Sequence, residues 1–442
     1  MTAVSQEVTV GLDIGTTSVK AVAADADGRV VARARIPHRL HIPAPSRMEH
    51  DATQAWRRGP RRALAALGQP RARALCVAAM VPSMTAVDRR GIPRAPGLLY
   101  GDERGRTESG ANPAASGEAL AFLKWLATEV PDARGYWPAQ AVANFALSGE
   151  PALDTGSAFT THPLFTGLEW DAAVLDDAGV RADQLPRTAN MDEAVGKVGD
   201  ALLSAGTIDA LGEQLVAGAD AEGDVLVILG TTLIVWAATT EWRDVPGLWT
   251  IPHTSPGLTF IGGASNAGGL FLNWALALAG RGRGAVDPKR VPVWLPYPRG
   301  ERTPYHDPHR RALLHALDLT HDAAAVRRAA YEASGFAARH HLDLAATSPR
   351  RIVATGGGVR VAEWVQALAD CTGLPVDVVA VPEGAALGAA FIARVTAGLE
   401  SSMTDGARWA RTSHRVEPDP AWVRAVEERY AQYRALADGG NA

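Results

Sequence analysis

The sequence has few cysteines, and this scarcity excludes several classes of protein. Only Cys76 and Cys371 occur among the 442 residues, and they lie far apart. They cannot supply a CxxC pair, a zinc-ligand set or a disulfide framework. The chain also lacks an apolar run long enough to cross a bilayer and a basic-then-apolar start typical of a signal peptide. The expectation is a cytoplasmic protein with no membrane partner.

The chain has little excess of either sign of charge, and it has few lysines. The formal net charge is −4, so nucleic acid is not expected as a partner. Lysine occurs at four positions, and arginine supplies the rest of the 44 basic residues. A lysine kept against this bias is a candidate for function, and Lys20 is the one that falls within a motif.

That motif is the stretch Val8-Thr-Val-Gly-Leu-Asp-Ile-Gly-Thr-Thr-Ser-Val-Lys20, which reads as strand, glycine turn, strand. Amide groups and hydroxyls at such a turn can bind phosphate oxygens. Asp13, at the end of the first strand, can hold the Mg²⁺ that accompanies a nucleotide. The alternative is a tight hairpin that uses Asp and Thr only as turn residues.

A second stretch, Val225-Leu-Val-Ile-Leu-Gly-Thr-Thr-Leu-Ile-Val235, repeats this pattern of strand, glycine turn and strand. The repeat predicts an internal duplication, with one phosphate-binding hairpin in each half. A chain of this length also exceeds one ordinary core. We therefore expect two domains, residues 1–222 and 223–442.

A third glycine turn follows a strand at Arg351-Ile-Val-Ala-Thr-Gly-Gly-Gly358. A strand, glycines and a helix make a turn suited to a nucleotide. The spacing is not GxGxxG and no acidic partner follows at the expected distance, so a Rossmann dinucleotide site is not expected. The sequence also lacks the GxxxxGK[ST] pattern of P-loop proteins.

The spacing of apolar residues further predicts helices over 117–148, 201–215, 322–345 and 422–436. A helix beginning at Asp51 is predicted to end at Pro70. Between these elements, Leu98-Leu-Tyr-Gly-Asp-Glu-Arg104 combines an aromatic ring, a carboxylate and a guanidinium. Such a set can bind a sugar, and the alternative is a loop with a local Asp–Arg pair.

The order of these parts resembles the FGGY carbohydrate kinases, over nearly the whole chain from about residue 8 to 436. The most specific piece is Leu295-Pro-Tyr-Pro-Arg-Gly-Glu-Arg-Thr-Pro304, which is similar to a segment of xylulokinase-type members. Pro382-Glu-Gly-Ala-Ala-Leu-Gly-Ala-Ala390 resembles part of the family's adenosine-binding region. The resemblance implies an α/β fold with two ribonuclease-H-like (actin-like ATPase) domains flanking a nucleotide cleft.

The resemblance also implies ATP and Mg²⁺ as cofactors and assigns site residues. Asp13 would be the metal carboxylate. The phosphate and adenosine contacts would be Asp13, Gly15, Thr16, Thr17, Lys20, Gly230, Thr231, Thr232, Gly356, Gly357 and Gly358, with Glu332 as a weaker candidate. The sugar contacts would be Met80, Val81, Tyr100, Asp102, Arg104 and Asp220.

Asp220 falls where the family has its catalytic base, but the surrounding sequence departs from the pattern. Family members have a helix between this Asp and the second hairpin, whereas here only Ala221-Glu-Gly223 separates Asp220 from the following strand. The expectation is that a deletion has removed the helix. The sugar loop also differs, because Met80-Val-Pro82 stands where Gln-Met-His is common and Tyr100 stands where Trp is usual.

These expectations describe an ATP-dependent kinase that phosphorylates a small sugar, a ketopentose such as xylulose or a related polyol. The alternatives are a gluconate or glycerol kinase of the same family, and a catalytically impaired nucleotide-binding sensor. The last is suggested by the shortened segment after Asp220. The sequence leaves a homodimer open.

Overall fold

The computed structural model describes residues 7–68, 71–105, 118–282 and 284–439. The chain divides into two compact units. The first unit consists of Met1–Val216 and Glu383–Trp409, and the second consists of Ala217–Pro382 and Ala410–Ala442. This division differs from the expected continuous boundary at 222/223, because a late segment of the chain belongs to the first unit.

The strands are β1 (Val8–Ile14), β2 (Ser18–Ala24), β3 (Val30–Pro37), β4 (Leu40–Ala44), β5 (Arg47–His50), β6 (Ala72–Ala79), β7 (Ser83–Val87), β8 (Gly97–Leu99), β9 (Gly135–Trp137), β10 (Ala152–Asp154), β11 (Phe165–Thr166), β12 (Glu169–Trp170), β13 (Arg187–Ala189), β14 (Ala194–Val198), β15 (Ala201–Ser204), β16 (Thr207–Ile208), β17 (Asp224–Leu229), β18 (Leu233–Thr239), β19 (Trp249–Pro252), β20 (Thr259–Ser265), β21 (Val293–Leu295), β22 (Leu313–His315), β23 (Arg351–Thr355), β24 (Val376–Val379) and β25 (Thr412–Val416). The helices are α1 (Gly59–Ala66), α2 (Glu118–Glu129), α3 (Ala139–Ser148), α4 (Thr155–Phe159), α5 (Ala172–Asp177), α6 (Asp209–Ala217), α7 (Gly269–Ala279), α8 (Ala323–Ala345), α9 (Ala362–Thr372), α10 (Gly384–Thr396) and α11 (Pro420–Asp438). No helix among the described residues is both long enough and apolar enough to span a bilayer.

Each unit is built on a sheet with the same central order of strands. In the first unit, β3, β2 and β1 form an antiparallel meander, and β6 and then β15 add in parallel beside β1. In the second unit, β20, β18 and β17 form the meander, and β23 and β24 add in parallel. The predicted duplication is therefore confirmed at the level of sheet topology.

Helix α10 explains why the late segment belongs to the first unit. It packs against β1 so closely that a Cβ on Gly11 would lie 1.8 Å from the Ala386 carbonyl oxygen. On its other side, a Cβ on Gly388 would lie 2.0 Å from the carbonyl oxygen of Gly212 in α6. Only glycine fits at such close backbone approaches. The small residues of α10 thus allow β1 and α6 to pack against one helix.

Two predicted helices need correction. The apolar stretch 117–148 is not one helix but α2, strand β9 and α3. The stretch 201–215 begins as strands β15 and β16, and its helix, α6, begins only at Asp209. Apolar periodicity did not separate short buried strands from the helices beside them. Pro70 lies outside the described residues, whereas the long helices near 322–345 and 422–436 are confirmed as α8 and α11.

Candidate active site

The first phosphate turn connects β1 and β2 as expected. Asp13 and Lys20 are directly paired across these antiparallel strands. The Lys20 Nζ donates a hydrogen bond to the Asp13 Oδ2 at 2.9 Å. Attraction to the Asp13 carboxylate raises the pKa of Lys20, so Lys20 remains charged. Gly15 closes the turn by donating its N–H to the Ser18 carbonyl.

The two threonines of this turn have different surroundings. Thr17 is exposed, whereas Thr16 is buried. The Thr16 Oγ1 lies 2.7 Å from the Tyr100 hydroxyl, and the Thr16 carbonyl accepts a hydrogen bond from His50 Nε2 at 2.7 Å. Thr17 is therefore the more accessible of the two hydroxyls predicted to contact phosphate.

Asp209 is a functional candidate that the sequence analysis missed. It is the first residue of α6 and it is half-buried. Burial raises the pKa of its carboxyl to about 7, and the negative charge of Asp13 adds to this effect while Lys20 opposes it. The structure thus places a second carboxylate within electrostatic range of the first phosphate turn. In the sequence, an Asp at the start of an apolar helix could have indicated this residue. The predicted helix began at 201, so Asp209 fell in its interior.

Asp13 is the residue that the sequence predicts as the magnesium ligand. Among the described residues, no group of three or more His, Cys, Asp or Glu side chains could hold a metal by itself. Mg²⁺ does not require such a group, because it is commonly bound by one or two carboxylates together with substrate phosphates. Asp13, near the end of β1, offers one carboxylate of that kind beside the phosphate turn.

The predicted sugar segment is in the first unit, but two of its polar residues bind each other. Asp102 is fully buried and accepts hydrogen bonds from the Met48 amide and from the Arg104 amide and guanidinium. The Arg104 guanidinium also pairs with Glu49 at 2.6 Å and lies over the ring of Trp125. Asp102 and Arg104 therefore brace this loop.

The remaining predicted sugar contacts are largely apolar. Met80 is buried, with 2% of its surface exposed, and Tyr100 is 7% exposed. Val81 is half-buried.

The second unit brings its two glycine turns together. Strands β17 and β23 are parallel, so the turn at Gly230 and the turn at Gly356 lie at the same edge of the sheet. Gly356 has a φ of +87°, and a Cβ there would lie 2.9 Å from the Leu229 carbonyl oxygen. Gly358 is equally constrained, because its Cβ would meet the ring of Trp364 at 2.3 Å. Only glycine allows this close approach of the two turns.

Helix α7 supports the second phosphate turn. The amides of Gly269 and Leu270 donate to the carbonyls of Gly230 and Thr231 at 2.9 and 3.0 Å. Thr231 and Thr232 are half-buried. The start of α7 thus fixes the backbone of the turn that carries them.

The signature segment predicted from the sequence stabilises the start of α7. The carboxylate of Glu301 accepts hydrogen bonds from Ser265 Oγ at 2.7 Å and from the Asn266 amide at 2.8 Å. Burial raises the pKa of Glu301 to about 7. The segment therefore positions the turn between β20 and α7.

The surroundings of Glu332 indicate a role in stabilising the fold. Its carboxylate is 1% exposed and accepts two hydrogen bonds from the Arg429 guanidinium and one from Arg328. Arg328 also pairs with Asp370 at 2.8 Å. These bonds account for the Glu332 carboxylate and link helices α8, α9 and α11.

Asp220 does not lie near the second phosphate turn. It precedes β17, whereas Gly230 follows that strand, and six residues at about 3.3 Å each separate the two by roughly 20 Å. Burial raises the pKa of Asp220 to about 6, and its Oδ1 lies 4.0 Å from His253 Nε2. No helix lies between Asp220 and β17, as the sequence predicts, and the helix that precedes Asp220 is α6, which begins at Asp209.

Two family models match this chain. The N-terminal domain model of the FGGY family of carbohydrate kinases matches residues 8–108, and the C-terminal domain model matches residues 225–397. With the repeated sheets and the paired glycine turns, these matches define a sugar kinase with two actin-like ATPase domains. The chain belongs to the FGGY family of carbohydrate kinases. Its activity is accordingly that of an ATP-dependent sugar kinase.

Kinases named for different substrates resemble the chain to a similar degree. A xylulose kinase of Escherichia coli (strain K12) is 25% identical, covering 97% of this chain and 98% of the relative. An autoinducer-2 kinase of the same strain is 28% identical, covering 96% and 93%. A crystal structure of a gluconate kinase from Lactobacillus acidophilus superposes with a TM-score of 0.82 at 20% identity over 98% of both chains, which supports the fold alone.

Proposed function

We propose that the protein transfers the γ-phosphoryl group of ATP to a hydroxyl of a ketopentose such as xylulose or a related polyol, with Asp209 as the general base. The observation that supports this role is the position of Asp209, which directly follows β16; that strand pairs with Ala78 and Ala79 of β6, which also pair with Asp13 and Ile14 of β1. The raised pKa of Asp209 agrees with this position. A carboxyl with a pKa near 7 is ionised in a large fraction of molecules at neutral pH and is basic enough to accept a proton.

In the proposed reaction, Asp209 accepts the proton of the acceptor hydroxyl while the oxygen of that hydroxyl forms a bond to the γ-phosphorus. The bond from that phosphorus to the β–γ bridging oxygen breaks, and ADP leaves. Lys20 and the amides of the first phosphate turn offset the charge on the transferring group. Asp13 would hold Mg²⁺, which would supply further neutralisation of phosphate charge.

The nucleotide contacts of the second unit are proposed at its two adjoining glycine turns. Gly230, Thr231 and Thr232 would bind phosphate oxygens, and Gly356, Gly357 and Gly358 would adjoin the adenosine. The support is that the parallel strands β17 and β23 place both turns at one sheet edge. We no longer assign Glu332 to this site, because arginines occupy its carboxylate.

The acceptor is proposed as a ketopentose on the strength of the xylulose kinase relatives. The autoinducer-2 and gluconate kinases among the similar proteins make their substrates the first alternatives. The bracing of Asp102 by Arg104 and the apolar Met80 and Val81 favour an acceptor that needs few hydrogen bonds at this segment.

The decisive experiment is an ADP-release assay over pentuloses, polyols, aldonates and autoinducer-2, with Asp209→Asn as the inactive control. We expect the highest kcat/KM with a ketopentose and direct detection of its phosphate ester by mass spectrometry. Nucleotide binding without transfer to any acceptor would instead support the sensor alternative. Transfer to an aldonate alone would retain the kinase mechanism but reject the ketopentose.

A further inference from the structure

Thr16 is held on two sides by side chains from elsewhere in the first unit. Its hydroxyl lies 2.7 Å from the Tyr100 hydroxyl, and its carbonyl lies 2.7 Å from His50 Nε2. Only 7% of the surface of Thr16 is exposed, whereas its neighbour Thr17 is exposed. The backbone of the phosphate turn is therefore fixed from its buried side.

The direction of the His50 hydrogen bond is set by a third residue. Trp56 Nε1–H donates to His50 Nδ1 at 3.0 Å, so the proton of the neutral imidazole is on Nε2 and is donated to the Thr16 carbonyl. His50 and Trp56 are both completely buried. Burial lowers the pKa of His50 to about 3, so this tautomer persists across the working pH range.

Tyr100 connects this arrangement to the proposed acceptor site. It follows β8, in the same segment as Asp102 and Arg104. The Tyr100 hydroxyl in this segment is thus hydrogen-bonded to Thr16 of the phosphate turn. This hydrogen bond directly connects the proposed acceptor segment with the phosphate turn.

We propose that Tyr100 and His50 are positioning residues that hold Thr16 so that the turn amides and the Thr17 hydroxyl face the transferring phosphate. This inference rests on the proposed kinase function. It assigns Thr16 an anchoring role and assigns the phosphate contact to Thr17. It also predicts that turnover responds to the Tyr100 hydroxyl more than acceptor binding does, because the aromatic ring that lines the acceptor segment is a separate part of that side chain.

The first test is a double-mutant cycle with Tyr100→Phe and Thr16→Val. Each single variant should lower kcat and raise the KM for ATP by about three- to tenfold, the effect of one lost buried hydrogen bond, with the acceptor KM within twofold. The double variant should be no worse than either single variant, because both remove the same interaction. Independent, multiplying effects would overturn the proposed coupling.

The second test uses His50. His50→Gln can keep an amide donor near the position of Nε2 and should retain most activity, whereas His50→Leu removes the donor and should reproduce the loss seen with Tyr100→Phe. Trp56→Phe should lose less activity than His50→Leu, because the Thr16 carbonyl still favours the imidazole proton on Nε2. Equal losses in the Gln and Leu variants would reject the hydrogen-bond role.

Tyr136→Phe provides a matched control. The Tyr136 hydroxyl is buried in the same unit and donates to the Val130 carbonyl at 2.9 Å, away from the phosphate turn. It should cost stability like Tyr100→Phe but leave both KM values and kcat unchanged. If the wild type phosphorylates its acceptor and Tyr100→Phe matches it kinetically, the positioning role fails while the kinase function stands. If the wild type transfers phosphate to nothing, the proposed function itself fails.

Discussion

Lys20 and Asp13 are cross-strand partners at the first phosphate turn, with the Lys20 Nζ 2.9 Å from the Asp13 Oδ2. The Lys20 side chain is only 27% exposed and that of Asp13 only 4%. The pair couples the one lysine found in a motif to the proposed metal carboxylate. The positive charge of Lys20 lowers the pKa of Asp209, whereas the negative charge of Asp13 raises it.

Replacing Lys20 should affect nucleotide binding. In Lys20→Met the positive charge beside the phosphate turn is lost, and we expect the ATP Kd to rise by about tenfold or more, the scale of a charged hydrogen bond. Isothermal titration of ATP measures this directly. Lys124→Met is the control, because Lys124 pairs with Asp177 on the exposed surface. An unchanged ATP Kd would leave Lys20 with only a structural role.

The pH dependence of catalysis should report Asp209. A base with a pKa near 7 is active when ionised, so kcat/KM for the acceptor should fall as the pH drops through about 7. Because Lys20 lowers that pKa, Lys20→Met should move the fall to higher pH in whatever activity remains. A profile that is flat down to pH 5 would contradict this assignment.

Two aspartates can be compared directly as the general base. Asp209→Asn should lower kcat by at least about a hundredfold while ATP binding persists, because an amide cannot accept the proton. Asp220→Asn should stay within a few-fold of the wild type, since Asp220 lies at the far end of β17 from the phosphate turn. The reverse ranking in single-turnover measurements would restore Asp220 as the base.

Glu332 should matter for stability and not for nucleotide binding. Glu332→Gln leaves Arg429 without its buried carboxylate and Arg328 with Asp370 alone, and should cost about 3 kcal/mol of unfolding free energy. Denaturant unfolding measures this loss. Glu427→Gln breaks an exposed pair with Arg339 and should cost under about 1 kcal/mol. A large change in ATP affinity in Glu332→Gln would argue for a site role instead.

The adenosine turn can be tested at Gly356. Alanine there must adopt a φ of +87° and place its Cβ 2.9 Å from the Leu229 carbonyl oxygen, which would separate the two glycine turns. We expect the KM for ATP to rise by about tenfold or more from a strain of about 1–2 kcal/mol. Gly373→Ala has a similar φ of +68° with open space around the Cβ, so it should lose stability without losing ATP affinity.

The sequence by itself determined the elements whose patterns are local. The two glycine hairpins, the duplication and the triple glycine were all legible, because β-branched residues flanking Gly-Thr-Thr specify strand and turn over a few residues. The same local reading led to the family resemblance that the family models confirm. It also selected Asp13 and Lys20, which strand pairing then placed opposite each other.

Only the tertiary structure decided which polar residues are available for chemistry. Asp102 and Glu332 look like site residues in the sequence, but each has its carboxylate occupied by arginines. Asp209 was overlooked because its exposure to the charge of Asp13 depends on α6 and β1 both packing against α10. Side-chain partners that are distant in sequence set burial and charge, and no local pattern of residues encodes them.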